Sequence, residues 1–246
     1  MMKERLLWDR FLYRIRESGL MPEGGNILDV GTGTNTTMLE MYGDRWDVTP
    51  SDVNVGDWNA HIPGMIYMDA NCLDVTETGE WDAIILSEVL EHVEDPLHVL
   101  TVAHKALRPG GVLIISVPFM YRIHEYGSHD PETSEPGLLD YWRFTPNGLR
   151  LLLSKIRGFE TVWVGRLITG EEKSFPEWEC PAGVVGWAVK DTGAFGDAPC
   201  VQNVIGEEEW QPEIPDNWRQ LQTQMAEAYA RGVEDARNRT EASDGR

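Results

Sequence analysis

Short apolar runs alternate with helical stripes along this chain. Leu6, Leu7, Phe11 and Ile15 recur at helical spacing ahead of Gly19 and Pro22, which predicts an amphipathic helix over the first eighteen residues. Residues 27–30 read as a buried strand, the glycines at 31 and 33 as a turn, and residues 36–42 as a helix. Further strands are expected at 46–49, closed by Pro50, and at 64–68. The run WDAIILS at 81–87 is continuously apolar, as in a parallel strand covered on both faces. Residues 88–94 turn helical, Pro96 restarts the helix, and residues 97–107 carry it to a stop at Pro109, Gly110 and Gly111. Residues 112–117 are again a strand.

The second half is less regular. Residues 119–146 are rich in His, Tyr, Pro and Asp without a period, the mark of a lid or binding loop. A helix is expected at 149–156, and strands at 159–164 and 184–189 that can pair as an antiparallel ribbon at the sheet edge. The polar stretch between them carries Glu171, Glu172, Pro176 and Pro181. A last helix is capped by Asp216 or Asn217 and shows Trp218, Leu221, Met225 and Tyr229 on one face; residues 240–246 read as disordered. Alternation of strand and helix with short connections predicts an α/β, Rossmann-like doubly wound sheet, mostly parallel. The expected division is an N-terminal helix at 1–22, a central domain at 23–190 with its lid at 119–146, and a loop, helix and tail at 191–246.

Charge narrows the partners. The chain of 246 residues has 21 Lys and Arg against 41 Asp and Glu, a net charge of −20 that disfavours nucleic acid and anionic membranes. Cys72, Cys180 and Cys200 match neither a disulfide framework nor a zinc spacing. No apolar run is long enough to span a bilayer, and the charged N-terminus lacks a signal-peptide core, so a cytoplasmic protein is expected.

Glycine at 31 and 33 lets the backbone approach a ligand without a Cβ in the way. Asp52 lies twenty-one residues beyond Gly31, an interval that suits a ribose-binding acid after the second strand of a nucleotide-binding unit. Asp69, Ala70 and Asn71 reach the same expected edge. Together DVGTG at 29–33, Asp52, MDA at 68–70, WDAIILSEVLEHVEDP at 81–96 and LRPGGVLIISVP at 107–118 resemble the class I S-adenosylmethionine (SAM)-dependent methyltransferases, of the type 11 kind. The resemblance covers roughly residues 25–165. It implies a seven-stranded sheet whose last pair is an antiparallel hairpin, with SAM as cofactor. It also implies a cofactor site of Asp29, Gly31, Thr32, Gly33, Asp52, Val53, Asp69, Ala70 and Ser87. In that site the glycine turn lies against the methionine part, Asp52 takes the ribose hydroxyls, Asp69 takes the adenine amino group, and the Ala70 N–H meets the ring. The family's third glycine falls at Asn35, a residue that tolerates the left-handed conformation. A dehydrogenase also places an acid after its second strand, but this turn lacks the full GxGxxG.

Methyl transfer to a hydroxyl needs positioning and removal of a proton. Glu88, Glu91 and His92 stand at i, i+3 and i+4, on one face if a helix starts directly after the strand. Similar ExxEH arrangements occur in ubiquinone-pathway O-methyltransferases and in methyltransferases of small-RNA 3′ ends, where they hold a divalent ion. That likeness implies Glu88, Glu91 and His92 as ligands of Mg²⁺ or Mn²⁺; the competing expectation is metal-free catalysis by His92, with Glu88 and His124 as further catalytic candidates. His124, His129 and Asp140 are the lid's possible partners of this face.

The stretch LLDYWRFTPNGLRLLL at 138–153 is similar to a DYWRFTP signature of bacterial and phage-borne methyltransferases, some in surface-sugar pathways. Tyr141, Trp142 and Phe144 could wall a pocket and Arg143 pair with an acid, but packing by Trp142 and Phe144 with Thr145 as a helix cap is the favoured reading. The expected activity is O-methylation of a small hydroxylated acceptor, a sugar among the candidates. N-methylation, 2′-O-methylation of an RNA end and a catalytically silent SAM-binding module are the alternatives.

Overall fold

A computed structural model describes residues 2–57, 59–72, 79–124, 139–167, 183–192 and 203–205. Its centre is the apolar strand at 81–87, β4 (Trp81–Ser87), flanked by β1 (Gly25–Val30) and β5 (Leu107–Pro118). Beyond β1 lie β2 (Trp46–Asp52) and the short β3 (Ile66–Tyr67); beyond β5 lie β7 (Gly183–Lys190), β6 (Phe159–Leu167) and β8 (Asn203–Ile205). The sheet order is β3-β2-β1-β4-β5-β7-β6-β8. Strands β1 to β5 are mutually parallel, and β7 runs antiparallel to both β5 and β6. The expected mostly parallel sheet with its late antiparallel hairpin is therefore present. One difference is at the edge, where β8 pairs parallel with β6 and makes an eighth strand.

The two faces of the sheet are filled by alternate residues of the same strands, as the pleat requires. Leu28, Val30, Ile84, Leu86, Leu113, Ile115 and Val117 pack under α3 (Pro96–Ala106) and α4 (Pro146–Ser154). Ile27, Ala83, Ile85, Val112 and Ile114 face α1 (Met2–Glu17) and α2 (Thr37–Tyr42), which contribute Trp8, Phe11, Leu12, Ile15, Met38, Met41 and Tyr42. Each such Leu or Ile contributes roughly 1.5–3 kcal/mol by leaving water. Tyr42 ties α2 to α1 by donating its hydroxyl to the Leu12 carbonyl at 2.8 Å.

Several element limits differ from the sequence pattern for local reasons. Pro50 does not close β2, which runs on to Asp52. Gly31 and Thr32 both donate to the Ser51 carbonyl, so Ser51 faces β1 and Pro50 turns its nitrogen to the other side, where β3 begins pairing only at Ser51. A missing N–H costs little there. Helix α3 ends at Ala106, and Arg108 to Gly111 form an irregular entry to β5: Trp81 pairs with Leu107, then Ala83 with Val112. Lys190 donates to the Leu107 carbonyl at 2.7 Å and so closes the end of α3. Helix α4 begins at Pro146 because Thr145 Oγ1 accepts from the Gly148 N–H at 3.0 Å, as a capping residue should. The expected helix around Trp218 to Tyr229, His129 and residues 125–138 of the lid lie outside the described residues.

Candidate functional site

The strand order reverses between β1 and β4, and ligands of such sheets bind at the C-terminal strand ends beside that reversal. Every cofactor residue expected from the sequence lies in the last two residues of β1, β2 or β4 or follows β1, β2 or β3. Gly31 and Gly33 have φ of 73° and 62°, left-handed values that an L side chain adopts only under strain. The two glycines have different surroundings. A Cβ on Gly31 would lie 2.6 Å from Val89 Cγ2, whereas one on Gly33 would meet nothing within 4 Å among the described residues.

The turn is braced from below. The buried Asp29 accepts from Thr32 Oγ1 at 2.8 Å, and Thr32 Oγ1 in turn accepts from the Ser51 N–H at 3.1 Å. Asp52 Oδ2 accepts from the Gly33 N–H at 2.9 Å and Oδ1 from the Asn54 N–H at 2.8 Å. Each carboxylate oxygen has acceptor capacity for a second donor, so this geometry fits a pair of ribose hydroxyls while holding the glycine turn. Val53 beside it is exposed. Asp69 Oδ1 accepts from the backbone and side-chain nitrogens of Asn71 at 2.8 and 3.0 Å, and Ala70 opens a short 3₁₀ turn, Ala70–Cys72. Ser87 ends β4, with its hydroxyl 3.4 Å from that of Ser116. Asn35, in the place of the third glycine, is not left-handed: its side-chain oxygen accepts from Thr37 N at 2.9 Å and starts α2.

The segment after β4 departs from expectation. No α-helix runs over 88–94, and a 3₁₀ turn, Leu90–His92, stands there instead. Glu88 has φ of 55°, the one non-glycine residue with positive φ among those described. Ser116 is among its partners: the Glu88 N–H donates to the Ser116 carbonyl at 3.0 Å, and Glu88 Oε1 accepts from Ser116 Oγ at 2.8 Å. The kink turns Glu91 inward until its side chain has no exposed surface.

His124 from the lid joins Glu91 and His92, with one ligand-type atom of each within 4.8 Å of the others; Glu88 is not of that group. Both imidazole Nε2 atoms lie 3.7 Å from Glu91 Oε1. His92 Nδ1 is 2.7 Å from the Leu139 carbonyl, which can only accept, so the neutral ring carries its proton there. His124 Nδ1 lies 3.1 Å from Asp140 Oδ2. Arg143 forms a fork on Asp140, donating to both carboxylate oxygens. That hydrogen-bonded guanidinium holds the Asp140 carboxyl down at about 2. Burial, reinforced by the neighbouring Glu88 charge, raises the Glu91 carboxyl well above its ordinary value. Burial also lowers the His92 imidazole, favouring its neutral form.

The lid residues that build this cluster dock on backbone groups. Tyr141 N–H donates to the Glu91 carbonyl at 2.7 Å, and Trp142 Nε1 donates to the Val93 carbonyl at 2.8 Å. Phe144 is buried in the core, as the packing reading expects, whereas Tyr141 and Trp142 keep 44% and 43% of their surface and rim the cluster. Asp140, one of the lid partners expected of this face, is the acid that Arg143 pairs with, whereas Ser116 as the anchor of Glu88 and the Leu139 carbonyl had no pattern to announce them. A separate cavity of about 260 Å³ lies at the opposite strand ends, where its charges Asp82 and Arg108 pair with each other at 2.8 Å.

A family model described as a methyltransferase domain matches residues 3–182, most of the chain. The chain belongs to that family. Among curated relatives, this chain is similar to a protein of Cereibacter sphaeroides named ubiquinone biosynthesis O-methyltransferase, at 31% identity over 102 residues, 38% of this chain and 41% of the relative. A Psychrobacter cryohalolentis protein of the same name matches at 27% over 139 residues, 44% of this chain and 52% of the relative. The chain thus spans about half the length of the curated relatives it matches. The fold is similar to that of a SAM-dependent methyltransferase from Archaeoglobus fulgidus, with TM-score 0.54 and 15% identity over 74% of this chain and 94% of the other. SAM is the cofactor that the family implies. The bare space over Gly33 beside Asp52 is of the kind such a donor fills. No helix among the described residues is long and apolar enough to cross a membrane.

Proposed function

We propose that this methyltransferase moves the methyl group of SAM onto a hydroxyl oxygen of a small acceptor, sugars being candidates. The observation that carries the reading is the close fit of Val89 against Gly31. It puts the glycine turn, which holds the donor in this reading, next to the segment that carries Glu91 and His92. The name O-methyltransferase on the curated relatives points the same way.

An alcohol is a poor nucleophile until its proton leaves, so a proton-handling cluster beside the donor favours oxygen. In the step, the O–C bond forms as the C–S bond breaks. Sulfur keeps the bonding pair and departs as a neutral thioether, and the hydroxyl proton goes to the cluster or to water. Asp29, Gly31, Thr32, Gly33, Asp52, Val53, Asp69, Ala70 and Ser87 hold the donor in this reading. Without a metal, His92 Nε2 is the base, because the Leu139 carbonyl fixes the proton on Nδ1. Glu88 acts through Ser116 as a positioning residue.

Calorimetry with SAM and with its demethylated product tests the donor. Asp52→Ala should weaken binding by about 1.5–3 kcal/mol, the value of hydrogen bonds to a charged group. Transfer of labelled methyl from SAM to matched panels of alcohols, sugars and amines tests the acceptor class. No cofactor binding by the intact chain would refute the donor, and label found on nitrogen alone would refute the acceptor.

A further inference from the structure

We infer that Arg143 is a positioning residue of the acceptor side: its guanidinium staples together the two ends of the segment between β5 and α4 and, through Asp140, sets His124 beside Glu91 and His92. The use of its donors is the first reason. A guanidinium carries five N–H groups in one rigid plane, and every one of them is engaged here. Nη1 donates to Asp140 Oδ1 and, at 2.7 Å, to the Trp142 carbonyl. Nη2 donates to Asp140 Oδ2 at 2.7 Å and to the Arg122 carbonyl at 2.9 Å, and Nε reaches the Tyr121 carbonyl at 3.5 Å, the longest of the set.

Sequence separation is the second reason. Tyr121 and Arg122 follow the end of β5, whereas Asp140 and Trp142 precede α4, so one side chain joins groups up to 22 residues apart. Bringing such ends together costs chain entropy, and a contact with several donors offsets it at the place where they meet. The backbone contact at the same juncture, from the Phe144 N–H to the Pro118 carbonyl, is long at 3.4 Å.

His124 is what the staple holds. Asp140 has no exposed side-chain surface, and a buried carboxylate stays ionised only with a cation on it, which the Arg143 fork supplies. The same carboxylate accepts from the His124 N–H at 2.8 Å and lies 3.1 Å from His124 Nδ1, so backbone and ring are both referred to it. The ring stands edge-on to His92 with centroids 4.9 Å apart, and its Nε2 is 3.7 Å from Glu91 Oε1. Tyr141 and Trp142, next to Asp140, dock on the Glu91 and Val93 carbonyls. Arg143 thereby connects two pieces of chain that both border the turn after β4.

Lysine could not replace it. A lysine keeps the charge, but a point charge with three donors on a flexible stem cannot meet a carboxylate and the carbonyls of both ends in one plane. None of the residues that hold the donor in the O-methylation reading, on which this naming of an acceptor side rests, is among the partners of Arg143. Substitution should therefore separate donor binding from turnover.

The test compares Arg143→Lys and Arg143→Gln with the parent in the full chain. SAM binding is measured by calorimetry, amide hydrogen exchange by mass spectrometry, and turnover with the panel alcohol or sugar that the parent methylates fastest. Both variants should bind SAM with the parent's stoichiometry and affinity, which also counts the folded molecules. Exchange should quicken in residues 119–124 and 139–144 together and keep the parent rate in β4 and β5. The kcat should fall by about 10- to 100-fold with a far smaller change in acceptor KM, as for a group displaced by about 1 Å. Lysine should rescue neither exchange nor kcat. Parent kcat or parent exchange at 119–124 in Arg143→Lys would reduce Arg143 to a neutralising charge and overturn the staple, as would SAM affinity that falls in step with kcat. Should the parent methylate no alcohol or sugar, the acceptor reading fails, and the exchange pattern still decides the staple.

Discussion

Gly31 and Gly33 share a left-handed backbone but not a neighbourhood, so the same substitution should fail in two different ways. Alanine at either position meets the left-handed penalty of about 1–2 kcal/mol. At Gly31 the new Cβ also stands 2.6 Å from Val89 Cγ2, and overpacking of that kind costs about 1–3 kcal/mol. Gly31→Ala should therefore lose about 2–5 kcal/mol of stability, and Gly33→Ala only about 1–2 kcal/mol. Urea unfolding followed by circular dichroism gives both values, provided the slopes of the transitions agree. Val89→Ala removes the opposing methyl, so the Gly31→Ala, Val89→Ala pair should show a favourable coupling of about 1–3 kcal/mol. Affinity for SAM should move in the opposite order. Gly33→Ala fills open space beside Asp52 and should weaken binding by more than its small stability loss explains. Equal destabilisation by the two substitutions together with strict additivity with Val89→Ala would refute the packing argument. Unchanged SAM affinity in Gly33→Ala would refute the placement of the donor.

Other outcomes follow from the framework. Burial holds the His104 imidazole below its ordinary value, so the unfolded chain binds more protons than the folded one between the two pKa values. Stability is full above roughly pH 6.5 and falls as pH drops through the lowered folded value. Unfolding measured at several pH values should give a shallower acid-side loss for His104→Phe than for the parent, and parallel curves would remove His104 as a contributor. Thr145→Val deletes the hydroxyl that caps α4 and should cost about 1 kcal/mol in the same assay, because the Gly148 N–H loses its partner. A cost near zero would mean that water replaces the cap fully.

Most of the fold was legible because its causes are local. The apolar run at 81–87 can only be covered on both faces, the glycine turn needs its φ wherever it is placed, and strand alternating with helix has few ways to wind. Pro50 misled because a proline reads as a stop, and only the neighbouring strand's late start made it harmless inside β2. The eighth strand was not legible, since three residues at 203–205 have no pattern of their own and gain strand character from β6.

The cluster divides in the same way. By itself the sequence determined that Glu91 and His92 follow β4 and that Gly31, Gly33 and Asp52 gather at the neighbouring strand ends, because strand order and short connections fix backbone position. It did not determine where the carboxylates point. Ser116, across on β5, contacts Glu88 at its positive φ, Tyr141 and Trp142 dock onto the Glu91 and Val93 carbonyls, and Asp140 beside them accepts from the His124 N–H. Those contacts join residues far apart in sequence, and they are satisfied only after the sheet has formed. The cradle proposed for the donor is thus written in local backbone chemistry, while the meeting of Glu91 and His92 with His124, which the sequence offered only as a candidate partner, is decided by the tertiary structure.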